Sequence, residues 1–197
     1  NLAHGSFYMM GAYLAFSLSA LTGDLLLTIL LGVALSVVLG AVLEWALFSH
    51  LYHRNHLQQV LLTYGLILVF DDLRSTLVGD EVYSVAVPAW LGFSVPLGDV
   101  MTYPVYRLFM SGVCLLVALG LYLLIQRTLV GARIRAGASN RGMVQLLGID
   151  INWLFRLVFA LGVGLAAFAG MINAPASTVS PGMGTQVLIV SFVVVIV

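Results

Sequence analysis

The 197-residue sequence contains no lysine, a single cysteine and only 8% charged residues. Soluble domains carry about a quarter charged residues, so this scarcity of charge excludes an ordinary water-soluble domain. The formal net charge is zero, which gives no basic surface for a nucleic acid, and we expect no nucleic-acid partner. Cys114 lies within an apolar run, and a lone cysteine excludes an intrachain disulfide.

Motifs of covalent catalysis are also missing. The sequence has no phosphate-binding P-loop, no nucleophile elbow and no paired catalytic carboxylates. We therefore expect no enzymatic activity, no catalytic residue, no cofactor and no metal. His50, His53 and His56 are spaced by threes and can in principle bind a metal, but exposed histidines in a short loop are more often polar surface.

Apolar residues dominate what is present. They make up 61% of the chain, and the mean hydropathy is +1.09. A helix needs roughly 20 apolar residues to cross a bilayer core, and several runs reach that length. The backbone must satisfy its own hydrogen bonds in lipid, and the runs are too long for barrel strands. The sequence therefore predicts an all-α, polytopic membrane bundle with about six spans, at 6–21, 25–48, 58–78, 103–126, 153–173 and from 186 onward.

The chain reads as one transmembrane domain over 1–197. It starts without Met and stops inside an apolar run, so we expect a piece of a longer permease-like chain, truncated at both ends. Arginines concentrate in segments 49–57 and 127–150, whereas segment 79–102 has acids and no arginine. The positive-inside rule then puts 49–57 and 127–150 in the cytoplasm, and 79–102 and 174–185 outside.

Small residues recur four apart on three predicted spans. Such rows let helix backbones approach closely in lipid, so they predict a tightly packed bundle. Glu44 continues the second row and should point toward other helices. A structural ion pair and a role in transport or gating both remain open for it. The rows are Gly11-Ala15-Ser19, Gly32-Ser36-Gly40 and Gly162-Ala166-Gly170.

Charged side chains interrupt the third predicted span at Asp71, Asp72 and Arg74. Asp71 and Arg74 are three residues apart and can pair on a helix. Two interpretations remain open, namely a locally neutralised helix end near the outer surface and a polar element lining a translocation path. His4, just before the first span, is a further candidate for that path.

The arginine-rich segment contains the pattern of a short amphipathic helix over 139–147. Ser139 or Asn140 can cap its start, and Gly148 can end it. Two turns of helix are not stable alone in water, so this helix needs a surface on which to rest. Lipid headgroups would account for the arginines, but a docked partner protein accounts for the apolar side as well. That side carries Met143, Leu146 and Leu147.

Five stretches of the chain read NLAHGSFYMMGAYLAF, LLTYGLILVFDDLRSTLVG, GARIRAGASNRGMVQLLGID, FALGVGLAAFAGMINAP and SPGMG. Together they resemble the branched-chain amino acid ABC transporter permeases of the LivH type. The resemblance implies a subunit of an ATP-driven importer in a bacterial or archaeal inner membrane, surrounded by membrane lipid. It also implies a second permease subunit, two cytoplasmic ATP-binding subunits and a periplasmic or extracellular substrate-binding protein as partners.

The same resemblance implies that 133–149 is a coupling loop that contacts an ATP-binding subunit. The family usually has an Arg-Pro pair in the loop after Glu44, where this chain has Ser49 and His50. Urea and short-chain amide permeases share the fold, so a related small solute stays open. A secondary transporter driven by an ion gradient and a membrane scaffold without transport are the rival functions. The coupling residues would be Arg133, Arg135, Ala136, Asn140, Met143, Leu146, Leu147, Gly148 and Ile149.

Overall fold

Six helices of 14 to 23 residues occupy the positions that the apolar runs predict. The computed structural model describes residues 1–51, 54–96 and 102–196. The all-α prediction is confirmed, and each predicted span begins and ends within a few residues of a helix. These helices are α1 (His4–Thr22), α2 (Leu25–Ala46), α3 (His56–Val78), α4 (Val105–Arg127), α7 (Ile151–Asn173) and α8 (Met183–Ile196).

Three helical segments of the described chain are long and apolar enough to cross a bilayer, namely Leu25–His50, Val105–Arg127 and Ile151–Asn173. Met183–Val195 is apolar but shorter. Helices α1 and α3 lie where spans are predicted but fall outside this class, because hydroxyl, amide and charged side chains lower their hydropathy.

Short elements connect the long helices. Two 3-10 turns lie at Phe48–Leu51 and Ala89–Leu91. An antiparallel hairpin pairs β1 (Ser94–Pro96) with β2 (Thr102–Pro104), and the sequence did not predict it. The arginine-rich segment forms two short helices, α5 (Leu129–Ser139) and α6 (Arg141–Leu146).

Two compact units make up the chain. The first unit combines Asn1–Pro88 with Ala160–Val197, and the second unit is Ala89–Phe159. Helix α7 contributes residues to both. The prediction of one permease domain over 1–197 stays a prediction.

Backbone contact between α1 and α7 organises the first unit. A Cβ atom at Gly11 would overlap the carbonyl oxygen of Ala167, and one at Gly170 would overlap the carbonyl oxygen of Tyr8. Only glycine lets two helix backbones come this close. Gly11 and Gly170, which belong to the predicted rows, therefore lie in the contact between α1 and α7. The row pattern also placed Ala166 in this contact, but Ala166 is half-buried, and the completely buried Ala167 meets Gly11 instead.

A second crossing joins α1 to α8. A Cβ atom at Gly5 would overlap the carbonyl oxygen of Gly184, and one at Gly184 would overlap the carbonyl oxygen of Gly5. Both glycines are buried. The sequence pattern did not predict this pair, because neither glycine belongs to a row of small residues four apart within a predicted span. The contact fixes the start of α8 beside the start of α1.

Helix α2 buries the small-residue row that the sequence predicts. A Cβ atom at Gly40 would lie 2.8 Å from the Cβ of Val163, and one at Gly32 would lie 2.5 Å from the Cε of Met171. This face of α2 therefore packs against α7. The buried positions of the row are Thr28, Gly32, Ser36, Gly40 and Glu44.

Two segments that the sequence places outside the membrane are paired with each other. Tyr83 N–H donates to the Val179 carbonyl at 2.9 Å, and Val179 N–H donates to the Tyr83 carbonyl at 2.8 Å. Residues near 83 and near 179 therefore lie at the same end of the first unit. This adjacency agrees with the common side that arginine placement predicts for them.

Substituting Gly11 with Ala tests the α1–α7 crossing. The added Cβ meets backbone atoms, which cannot rotate away, so we expect a loss of about 1–3 kcal/mol or more of stability. The measurement is the thermal unfolding midpoint of the purified protein in detergent. Gly65→Ala is the matched control, because nothing lies within 4 Å of a Cβ at Gly65. It should be neutral or slightly stabilising, since Ala favours a helix more than Gly does. Equal midpoints for Gly11→Ala and the parent would contradict the crossing.

Candidate functional site

Side-chain caps start both helices of the arginine-rich segment. The Thr128 hydroxyl accepts a hydrogen bond from Gly131 N–H at 3.1 Å and so starts α5. The Asn140 Oδ1 accepts from Met143 N–H at 3.1 Å and so starts α6. Of the two predicted caps for the short helix, Asn140 is the one used. Gly148, at φ 78°, follows the end of α6 as predicted.

Helix α5 is the element that sequence reasoning missed. Its glycines weakened the helical pattern, since Gly is a poor helix former. Packing requires them: a Cβ at Gly131 would overlap the Ile125 carbonyl oxygen, and one at Gly137 would lie 3.0 Å from Leu154 Cδ2. The Arg135 guanidinium also donates to the Ile125 carbonyl. Packing of α5 against the end of α4 therefore outweighs the low helix propensity of its glycines. The N-cap residue Thr128 was the feature of the sequence that could have predicted the start of α5.

A small apolar core supports α6 from below. Val144 is 3% exposed and packs with Ile151 and Leu154 at the start of α7. The Asp150 carboxylate accepts from Asn152 N–H at 2.9 Å and from Trp153 N–H at 3.2 Å, which caps α7. One apolar side of α6 thus packs against the start of α7, and the opposite side is exposed.

The presented side is the predicted apolar stripe. Met143 is 58% exposed, Leu146 is 85% exposed and Leu147 is 71% exposed. The Arg141 guanidinium lies 4.6 Å from the centroid of the Phe155 ring, close enough for a cation–π contact. The remaining predicted coupling residues that are exposed are Arg133, Arg135, Ala136, Asn140 and Gly148, whereas Ile149 is half-buried.

A second polar group forms at the end of α3. The predicted pair is confirmed, because Arg74 Nη2 lies 3.1 Å from Asp71 Oδ1. Arg74 Nη1 also lies 2.8 Å from Asp80 Oδ1, and it donates to the Gly79 carbonyl at 2.8 Å. The sequence did not predict Asp80, because it lies beyond the helix end. We name Arg74, Asp71 and Asp80 the Arg74 cluster.

Asp80 is the titratable member of this cluster outside the helix. Hydrogen bonds from the Arg74 guanidinium and then from the Ser75 hydroxyl lower the pKa of the Asp80 carboxyl below its ordinary value. Asp72 is exposed and makes no ion pair with any residue that the structure describes. Of the three charged residues that the sequence singles out on α3, Asp71 and Arg74 belong to the Arg74 cluster and Asp72 does not.

Glu44 and His4 are the remaining predicted polar candidates. Glu44 is 0% exposed and lies two residues before the end of α2, so the prediction that it faces other helices is confirmed. His4 is half-buried, and its Nε2 would lie 2.9 Å from a Cβ atom at Gly162. Their roles in a translocation path stay predictions. Of the histidine triplet, His53 lies outside the described residues.

Comparison with known proteins now identifies the family. Residues 1–197 match the family described as "Branched-chain amino acid transport system / permease component". The chain belongs to this family. Its relatives are named as transport components and not as enzymes. Together with the apolar helices, this membership identifies the permease as an all-α integral membrane protein.

Three curated relatives show the extent of the similarity. The permease is 30% identical to "High-affinity branched-chain amino acid transport system permease protein BraD" of Pseudomonas aeruginosa, over 93% of this chain and 64% of that protein. It is 26% identical to the "Probable branched-chain amino acid transport permease protein LivH" of Methanocaldococcus jannaschii, over 98% of this chain and 62% of that protein. It is 27% identical to the "High-affinity branched-chain amino acid transport system permease protein LivH" of Escherichia coli K12, over 87% of this chain and 59% of that protein.

The permease chain therefore spans less than two thirds of the length of these relatives. No solved structure matches the chain.

Removing the Asp80 charge tests the Arg74 cluster through its pH dependence. The pKa of Asp80 is lowered in the folded state, so its contribution is present above the ordinary value of about 3.9 and is lost as the pH falls through the lowered value. Asp80→Asn should lower the thermal midpoint at neutral pH by roughly 1–3 °C. The difference from the parent should disappear as the pH falls through the lowered pKa of Asp80. Asp72→Asn is the control and should change little, and a pH-independent effect of Asp80→Asn would contradict the assignment.

Proposed function

We propose that this chain is a permease subunit of an ATP-driven importer that moves branched-chain amino acids inward. Membership of the permease family supports the transported class. The observation that carries the proposal is the exposed apolar stripe of α6, which lies within an arginine-rich segment. A chain without a nucleotide-binding motif needs a partner to hydrolyse ATP, and this stripe is a place to bind one.

The partner at 133–149 is a cytoplasmic ATP-binding subunit, of which the complex has two. Leu146 and Leu147 insert into a groove of that subunit, in the way that amphipathic helices commonly bind. Arg133 lies near the edge of this contact, where charges guide association more than they add affinity. Arg135 is already bonded to the Ile125 carbonyl, so its main role is to hold α5 in place.

Motion at α6 passes to the long helices through packed contacts. Val144 couples α6 to the start of α7 through Ile151 and Leu154. Helix α5 couples to α4 through the close approach at Gly131. Closure of the ATP-binding subunits would therefore move α4 and α7 together. This is the alternating-access mechanism that we propose, with ATP hydrolysed entirely on the partner subunits.

Further partners follow from the exposed surfaces. The apolar window of α4 contains no buried residue within the described chain, so membrane lipid and a second permease subunit are its proposed neighbours. A periplasmic or extracellular substrate-binding protein delivers the solute to the outer ends of the spans. The proposed location is the inner membrane of a bacterium or archaeon, with several passes.

Branched-chain amino acids are preferred over urea and short amides because the relatives are named for them. The rival, a secondary transporter, needs acids that can bind a coupling ion. Asp71 and Asp80 are already paired with Arg74, which makes them poor ion ligands, whereas Asp72 is exposed outside these pairs and Glu44 is buried near the end of α2. This pairing supports the ATP-driven proposal.

Leu146→Asp tests the coupling contact. A buried anchor of an interface is worth about 2 kcal/mol or more, so the affinity for the ATP-binding subunit should fall roughly 30-fold. Leucine uptake and binding-protein-stimulated ATPase activity of the reconstituted complex should fall with it. The fold should persist, because Leu146 is 85% exposed.

Gln145→Asp is the matched control, since it adds the same charge to an exposed neighbouring position of α6 outside the stripe. It should leave co-purification of the ATP-binding subunit close to that of the parent. Normal uptake, stimulated ATPase activity and co-purification in Leu146→Asp would rule out this segment as the coupling contact.

A further inference from the structure

A cavity of about 420 Å³ lies within the first unit. Helices α1 and α3 supply its walls, and Leu39 of α2 closes one side. Its volume is in the roughly 300–1,000 Å³ range of small-molecule sites. Most of its lining is apolar and flexible, with Met9, Met10, Leu14, Leu73 and Leu77 among the side chains.

One buried hydroxyl in this lining, that of Tyr13, has no hydrogen bond of ordinary length within the described residues. Tyr13 is 5% exposed, and its Oη lies near the Arg74 guanidinium but has no hydrogen bond of ordinary length to any residue that the structure describes. Buried polar groups are almost always hydrogen-bonded, so an unpaired one marks a place where a missing group belongs. The Tyr13 O–H can donate to an acceptor oxygen of a molecule in the cavity.

Arg74 lines the same cavity, and its guanidinium carbon lies 5.9 Å from the centroid of the Tyr13 ring. Its Nε and Nη2 donate to Asp71, and its Nη1 donates to Asp80 and to the Gly79 carbonyl. An arginine has five N–H groups, so these four bonds leave one for a ligand. With one cation and two carboxylates, the Arg74 cluster has a net charge of −1 when all three are ionised.

We propose that this cavity binds the transported solute, and that the solute is a zwitterionic amino acid with an aliphatic side chain. Its carboxylate accepts hydrogen bonds from the Tyr13 hydroxyl and from the remaining N–H of Arg74. Its side chain contacts the methionines and leucines of the wall. This inference rests on the proposed function and adds the location and chemistry of the binding site.

The charges of the site also set its selectivity. A solute with a single carboxylate and an ammonium group is neutral overall, so the net negative cluster does not repel it. A dicarboxylic amino acid has a further negative charge, which the cluster would repel. The site should therefore accept leucine and reject glutamate.

Tyr13→Phe in the intact complex, reconstituted with its partner subunits in proteoliposomes, tests the hydroxyl. Uptake of L-leucine at subsaturating concentration should fall at least fivefold. Tyr64→Phe is the matched control, because Tyr64 is 53% exposed on α3 and lies outside the cavity lining. It should transport like the parent.

Protection from labelling tests occupancy directly. Ser17 lines the cavity and is exposed, so Ser17→Cys in a Cys114→Ala background should react with a small thiol reagent. Millimolar L-leucine should slow this reaction severalfold, and L-glutamate should not. Tyr13→Phe should weaken the protection by leucine, which a purely structural role of Tyr13 would leave intact.

Unprotected Ser17→Cys, or normal uptake by Tyr13→Phe, would overturn the assignment of the cavity. Labelling that is blocked by lipid or by the second permease subunit in the absence of leucine would identify the cavity as a packing interface and would also overturn it. Failure of the parent complex to take up leucine with ATP would instead overturn the proposed function, so the two failures are distinguishable.

Discussion

Backbone-to-backbone contact at glycines is the constraint on which the first unit depends. Lipid is as apolar as the helices, so association there requires close packing and not exclusion of water. Gly11 and Gly170 bring α1 against α7, and Gly5 with Gly184 brings α1 against α8. Because α1 is common to both contacts, its position also decides which of its side chains face α3. The polar groups and the cavity of this unit follow from that placement.

The charges of the chain serve two different purposes. At the end of α3, Arg74 is enclosed by carboxylates and ties the helix to the turn after it, which leaves the Tyr13 hydroxyl as the open polar group beside the cavity. In the second unit, arginines surround a helix whose apolar stripe is exposed. One arrangement suits a small neutral solute, and the other suits a protein partner. The permease that we propose, which would depend on separate ATP-binding subunits, needs both.

Local patterns in the sequence predicted what neighbouring residues decide. They predicted the long helices, the buried row that ends in Glu44, the Asp71–Arg74 pair and the Asn140 cap, because each of these features depends on residue spacing within one helix. They did not give Asp80, Ala167 or the Gly5–Gly184 contact, which depend on how distant segments meet. Helix α5 was missed for a related reason, since Gly131 and Gly137 are unfavourable in an isolated helix but necessary for its packing on its neighbours. The unpartnered Tyr13 hydroxyl had no signal in the sequence.

The most direct test of the account separates its energy source from that of an ion-coupled carrier. The chain is reconstituted with the partners that we propose for it, namely a second permease, ATP-binding subunits and a binding protein, and leucine transport is measured under two conditions. With ATP on the side of the ATP-binding subunits and all ion gradients collapsed, the account predicts unidirectional uptake. With proton and sodium gradients imposed and no ATP, it predicts none. Uptake driven by a gradient without ATP would contradict it.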